Sequence, residues 1–220
     1  MALDGAPFLV GLFMRLFVDS LYISPYAMSA FVSLMEKGLK FEIETVDLAA
    51  RANYAAAYAA TSLTRRVPTL VHEGFALSES SAISEYLDEA FVGNRLYPTE
   101  MHTRARARQV QAWLRSDLVA IRDERPSIVV FQGARRAPLS DAARASADLL
   151  FSAVDRLLKV GDENLFGDWC IADVDLAMML NRLVMHGDPV PDRLVTYAAH
   201  QWRRPSVQAW LGKVGENRLT

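Results

Sequence analysis

The side chains best suited to chemistry fall in three short runs. Ser24-Pro25 opens a helical pattern, with serine at the cap and proline at the first helical position. A helix N-terminus favours negative charge and a hydroxyl donates a hydrogen bond, so an anion held at Ser24 would be stabilised twice. Plain helix capping, worth about 1 kcal/mol, needs the same residue types. Glu79-Ser80 stands where a second helical pattern begins, directly after a strand. Its hydroxyl and backbone N–H suit a carboxylate, while a charged first turn with a cap is the plainer reading. Arg66-Val67-Pro68 offers a guanidinium matched to carboxylates, with Arg65 as a competitor.

Other reactive types look structural. The histidines His72, His102, His186 and His200 show no paired spacing and no cysteine partner, so no metal site is expected. Cys170 is the single cysteine, which excludes an intramolecular disulfide and reads as a buried thiol. Arg104, Arg106 and Arg108 form a local basic run in a chain of net charge −2. That pattern is a solvated helix face rather than a nucleic-acid site.

The 220 residues leave one large domain or two small ones open. Hydrophobic residues make up 51% and charged residues 23%, the balance of an ordinary globular chain. The apolar run from Pro7 to Phe17 lacks a basic flank and is interrupted by Arg15. It is far shorter than the ~20 apolar residues that span a bilayer. No membrane segment is expected, and residues 1–14 read as an extension before the first strand of a cytoplasmic protein.

The elements that must position these residues follow from periodicity. Leu16-Phe17-Val18 suits a buried strand. Ala27, Ala30, Phe31, Leu34 and Met35 then lie on one helical face, ended by Gly38. Phe41 and Ile43 alternate with Glu42 and Glu44 as a half-buried strand, completing a βαβ unit with parallel strands. Tyr54 and Tyr58 are expected to share a helical face. Two strand patterns flank His72-Glu73-Gly74 as a hairpin. Ala82, Ile83, Tyr86, Leu87 and Ala90 restore the helical pattern. Everything past the breakers Asn94 and Pro98 reads as helix. Its stripes are Trp113 to Ile121, Leu150 to Leu158 and Leu176 to Val184, with a short last helix after Pro205. The fold class is α+β: a thioredoxin-like domain over 1–92, a linker over 93–100, and an all-α helical bundle over 101–220.

Several motifs together carry a family likeness. Ser24-Pro25-Tyr26, Arg66-Val67-Pro68, Glu79-Ser80-Ser81-Ala82-Ile83, Leu96-Tyr97-Pro98 and Ile171-Ala172-Asp173 occur in an order that resembles the glutathione S-transferase superfamily. The runs Thr64 to Pro68, Arg104 to Gln109, Trp113 to Leu118 and Leu165 to Cys170 are similar to its bacterial YfcF-type branch. This resemblance implies glutathione as co-substrate, a cis bond before Pro68, and Ser24 as hydrogen-bond donor to the glutathione thiolate. Tyr22, Tyr26 and Ser20 are fallback donors.

The resemblance further implies that Glu79 pairs with the α-amino group of glutathione and Ser80 with its γ-glutamyl carboxylate. Val67 would offer backbone hydrogen bonds to the cysteinyl segment, and Arg66 would meet the glycine carboxylate. Tyr22, Tyr26, Trp113, Asp117 and Arg122 are candidates for the pocket of an electrophile or peroxide. A homodimer is implied as well. Serine at position 24 cannot form a mixed disulfide with glutathione, which argues against a thiol–disulfide reductase. The family usually has Ser or Thr where Cys170 stands, so a weaker cap is expected there. Two rivals to the transferase reading are a glutathione-dependent isomerase and a scaffold that has lost catalysis.

Overall fold

The computed structural model describes residues 14–217. The expected N-terminal extension lies outside the described residues except for Met14, which opens the first strand. The chain runs β1 (Met14–Asp19), α1 (Pro25–Glu36), β2 (Glu42–Val46), a 3-10 turn (Ala52–Tyr54), α2 (Ala56–Thr61), β3 (Thr69–His72), β4 (Phe75–Ser78) and α3 (Ser80–Ala90). Seven helices follow: α4 (Met101–Ser116), α5 (Val119–Glu124), α6 (Ser127–Gln132), α7 (Asp141–Leu157), α8 (Ile171–Val184), α9 (Asp192–Trp202) and α10 (Pro205–Asn217). Among the described residues no helix is long and apolar enough to cross a membrane.

The four strands lie in the order β2-β1-β3-β4, with β1 parallel to β2 and the other neighbours antiparallel. This is the sheet of a thioredoxin-like domain. The parallel pair is the expected βαβ crossover. The hairpin turn is tighter than His72-Glu73-Gly74: His72 pairs with Phe75, and Glu73 and Gly74 turn alone with φ of 49° and 86°. Positive φ at both central residues is the geometry that fits the twist of a two-residue hairpin.

α1 differs from the one-faced helix its periodicity predicts. Every residue from Ala27 to Leu34 is buried, while Met35 is 42% exposed. The helix packs on the sheet and α3 and also receives α8 and α10, so it has no solvent face along that stretch. Gly38 ends it as expected, at φ 66°, with Gly38 N–H donating to Met35 O and Leu39 N–H to Leu34 O. Tyr54 and Tyr58 do not share a helix. Tyr54 closes the 3-10 turn and is exposed, whereas Tyr58 is buried in α2. The stripe from Trp113 to Ile121 is also divided, because α4 stops at Ser116 and Leu118 turns left-handed at φ 56° before α5.

α8 is the axis of the helical domain, buried from Ile171 to Leu180 apart from Asp175 and again through Leu183. Its start holds a fully buried carboxylate. Asp173 accepts the N–H groups of Leu165 (2.7 Å) and Cys170 (2.9 Å) and the hydroxyl of Tyr197 (2.7 Å). The capping-box geometry forms with a thiol at its head, and the bond from Cys170 N–H to Asp173 Oδ2 is its charge-assisted half. The connection between domains is anchored rather than loose. Leu96 and Tyr97 are buried, Leu96 N–H donates to Asp88, and Leu96 O accepts from Ile171 N–H at 2.9 Å. Trp210 of α10 is buried 5.4 Å from both Tyr22 and Phe31, joining the last helix to the first domain.

Candidate functional site

Strand register decides which residues meet. Phe17 of β1 stands abreast of Thr69 of β3, which stands abreast of Ser78 of β4. β3 runs antiparallel to both neighbours, so the chain after Asp19, before Thr69 and after Ser78 leaves the sheet at one end. Those three segments carry Ser24, Arg66-Val67 and Glu79-Ser80. Side-chain spacing along the sequence contains no hint of this meeting, because 55 residues separate the first from the last.

Ser24 is held from both sides of its backbone. The buried carboxylate of Asp19 accepts the N–H of Ile23 at 2.8 Å and of Ser24 at 3.0 Å. Burial raises the Asp19 pKa, and these backbone hydrogen bonds oppose the rise. Ser24 Oγ accepts the N–H of Ala27 at 3.3 Å, the capping geometry expected from its position before Pro25. That use occupies a lone pair and leaves the hydroxyl hydrogen for another acceptor. Ser24 itself is partly exposed. Tyr22 takes a left-handed conformation at φ 54°, and its N–H donates to Asp19 O at 3.1 Å. Burial raises its phenol pKa, with the charges of Asp19 and Glu216 adding to the effect, so the group stays protonated near neutrality.

A hydroxyl network underlies the second segment. Arg66 O accepts from Tyr58 OH (2.7 Å), Thr69 Oγ1 (3.1 Å) and Ser62 Oγ (3.3 Å), and Ser62 Oγ lies 3.0 Å from Ser78 Oγ. These bonds fix the loop whose Val67-Pro68 bond is cis. Among the described residues, neither backbone polar group of the buried Val67 has a hydrogen-bond partner, so both are open to a peptide laid alongside. The Arg66 side chain is exposed.

Glu79 has φ 75° and ψ 117°, outside the comfortable left-handed well for a residue with a side chain. Such a conformation costs on the order of 1–3 kcal/mol and clusters at functional positions. Its side chain is exposed, while Ser80 is buried at the first position of α3. α3 is tied to α1 beneath them: Ser84 Oγ donates to Ser80 O at 2.9 Å and lies 2.8 Å from Ser33 Oγ.

The residues expected to line an electrophile pocket are dispersed. Tyr26 and Arg122 touch, with Arg122 Nη1 donating to Tyr26 OH at 3.1 Å and to Arg115 O at 2.5 Å. Trp113 lines a different, larger groove of about 520 Å³ between α4 and α7, with Arg106, Val110, Leu149, Arg156 and Leu157. Asp117 is exposed at the end of α4, where its carboxylate accepts the Ser116 hydroxyl at 2.9 Å. Sequence reasoning missed Asp19, whose role depends on a folded turn, and Arg182, which reaches the Tyr26 region from α8. Among the described residues no group of three or more metal-ligating side chains gathers.

Comparison with known proteins places this architecture. Residues 100–214 match the family model for the glutathione S-transferase C-terminal domain, and residues 23–90 match that for the N-terminal domain. A glutathione transferase homologue from Burkholderia, solved with bound glutathione, has a TM-score of 0.76 and 46% identity, covering 93% of this chain and 98% of its own. Glutathione S-transferase U28 of Arabidopsis thaliana is 25% identical over 170 residues, 75% of this chain and 70% of that protein. Maleylacetoacetate isomerase of Dictyostelium discoideum is 27% identical over 150 residues, 64% and 68% of the respective lengths. With both domain models matched in order, the chain belongs to the glutathione S-transferase family.

Proposed function

We propose that this protein is a glutathione transferase in which Ser24 donates a hydrogen bond to the thiolate of bound glutathione and so readies it to attack an electrophile. The observation that carries the reading is the meeting of Ser24, Val67 and Glu79-Ser80 at one end of the sheet. The 46%-identical relative with glutathione bound supports it. The residues present fit glutathione as a ligand. Val67 offers an open N–H and C=O to its peptide, the start of α3 at Ser80 offers backbone N–H groups to its γ-glutamyl carboxylate, and Glu79 offers a carboxylate to its α-amino group. Arg66 is assigned to the glycine carboxylate.

Ser24 acts as donor and not as base, since an aliphatic hydroxyl does not ionise near neutrality. The thiolate is the reactive form of a thiol, so lowering the thiol pKa raises its concentration at working pH. The α1 N-terminus adds its favourable potential at the same point. Organic electrophiles are the first substrate class and peroxides the second, as the YfcF-type likeness suggests. We assign a homodimer on the family likeness, and the cytoplasm on the single cysteine and the N-terminal run that lacks signal-peptide features. The isomerase relative keeps isomerisation in view as a second reaction class.

Calorimetric titration with reduced glutathione, on the wild type and on Ser24→Ala, tests the proposal. Wild-type binding is expected, with the variant keeping its affinity but losing thiolate absorbance and turnover. No binding by the wild type at millimolar glutathione would overturn the reading and leave a scaffold. A variant with undiminished thiolate would remove Ser24 from the mechanism.

A further inference from the structure

Directly behind Pro25-Tyr26 lies a small cavity of about 30 Å³, walled by Tyr26, Arg115, Arg122, Asp175 and Arg182 along with Pro25. Its volume is on the order of two water positions, room for one small planar group. Its lining carries three arginines and one aspartate, with Leu114, Met178 and Met179 supplying an apolar side. The carboxylate is already engaged, since Asp175 Oδ2 accepts Gln111 Nε2 at 2.7 Å. Arg182 is only 6% exposed. Its Nη1 donates to Arg125 O at 2.7 Å, but its buried Nε has no partner among the described residues. A buried cationic donor without a partner is costly, and on a residue lining this cavity an arriving acceptor would relieve that cost. Burial lowers the Arg182 pKa to about 10, which still leaves it charged near neutrality.

The excess positive charge sits beside the residue assigned to the nucleophile. Arg122 links the walls by donating both to Tyr26 OH on α1 and to Arg115 O on α4. Planar guanidinium groups recognise carboxylates through paired, charge-assisted hydrogen bonds, and in a confined site those bonds are shielded from water. We propose that the electrophile taken by this enzyme carries a carboxylate-sized anionic group, seated on Arg115, Arg122 and Arg182 so that its reactive carbon faces the thiol at Ser24. The inference rests on the glutathione transferase reading and names the substrate class of that site. For an aryl chloride the step balances simply. The thiolate sulfur bonds to the ring carbon, the carbon–chlorine bond breaks, chloride leaves, and the thiol proton passes to solvent.

Two measurements on the full chain decide it. In the first, without glutathione, a dinitrobenzoate and its neutral methyl ester are titrated calorimetrically into the wild type, Arg122→Met and Arg122→Lys. The acid is expected to bind the wild type about tenfold tighter than the ester or more, the worth of one charge-assisted hydrogen bond. Arg122→Met should lose most of that preference and Arg122→Lys should recover part of it. Equal binding of acid and ester, or an undiminished preference in Arg122→Met, would overturn the proposal. In the second, with glutathione, the ratio of kcat/KM for a chlorodinitrobenzoate over its methyl ester is compared. The ratio should fall about tenfold in Arg122→Met. An equal loss on both substrates would mean that Arg122 serves the thiol or the fold, which also overturns it. Absence of glutathione turnover altogether would sink the transferase reading, while the first measurement would still decide the anion site.

Discussion

The Asp19 carboxylate accepts the backbone N–H of Ser24 at 3.0 Å and fixes the turn between β1 and α1. The carboxylate is buried, and its pKa is raised because desolvation outweighs the hydrogen bonds it accepts. A folded-state pKa raised above 3.8 contributes stability that is full below that value and is lost as pH rises through the folded value. Relative to Asp19→Asn, the wild type should therefore gain stability as pH falls from 7 toward 4. Urea unfolding of both proteins across that range checks this, and a difference that runs the other way would refute it. Asp19→Ala leaves two N–H groups without their acceptor and should cost about 1–3 kcal/mol at neutral pH.

Glu100 shows the opposite sign. It caps α4, accepting the N–H of His102 at 2.9 Å and of Thr103 at 2.7 Å, and these bonds lower its pKa from 4.5 to about 2. A depressed folded-state value contributes stability above the unfolded one that is lost as pH falls. Glu100→Gln should be less stable than the wild type at neutral pH. The gap should close between pH 4.5 and about 2, read as the difference between the two thermal midpoints.

Asp173 should be among the most sensitive positions for stability in the helical domain. Asp173→Ala removes the acceptor of Leu165 N–H, Cys170 N–H and Tyr197 OH inside the core, and a loss of about 3–5 kcal/mol is expected. Tyr197→Phe removes one donor and should cost about 1 kcal/mol. Denaturant unfolding measures both, and a loss below about 1 kcal/mol for Asp173→Ala would show that the network contributes little to stability.

Cys170 should behave as a structural thiol. It is fully buried, and desolvation followed by the Asp173 charge pushes its pKa well above the ordinary thiol value. The thiolate is the reactive species, so a disulfide-exchange reagent should label Cys170 no faster than the helical domain opens. Labelling rates that follow the stability of Asp173→Ala and the wild type would support this. Rapid labelling of the native protein would contradict it.

The sequence by itself determined the local elements and the residues able to do chemistry. Ser24-Pro25 sets a helix start, Gly38 its stop, and the alternation around Ile43 a strand, because capping, backbone freedom and side-chain period act over a few residues. Tertiary structure decided the rest. Strand register brought Arg66-Val67 and Glu79-Ser80 to the end of the sheet where Ser24 stands. Packing on both sides, by α3 and by α8 and α10, buried α1 all round where periodicity offered one face. The left-handed turn at Leu118 divided a stripe that looks continuous in sequence. Asp19, Arg182 and the strained backbone of Glu79 became visible only in the fold. Their roles come from burial and from partners distant in sequence, and no local pattern of side chains encodes those.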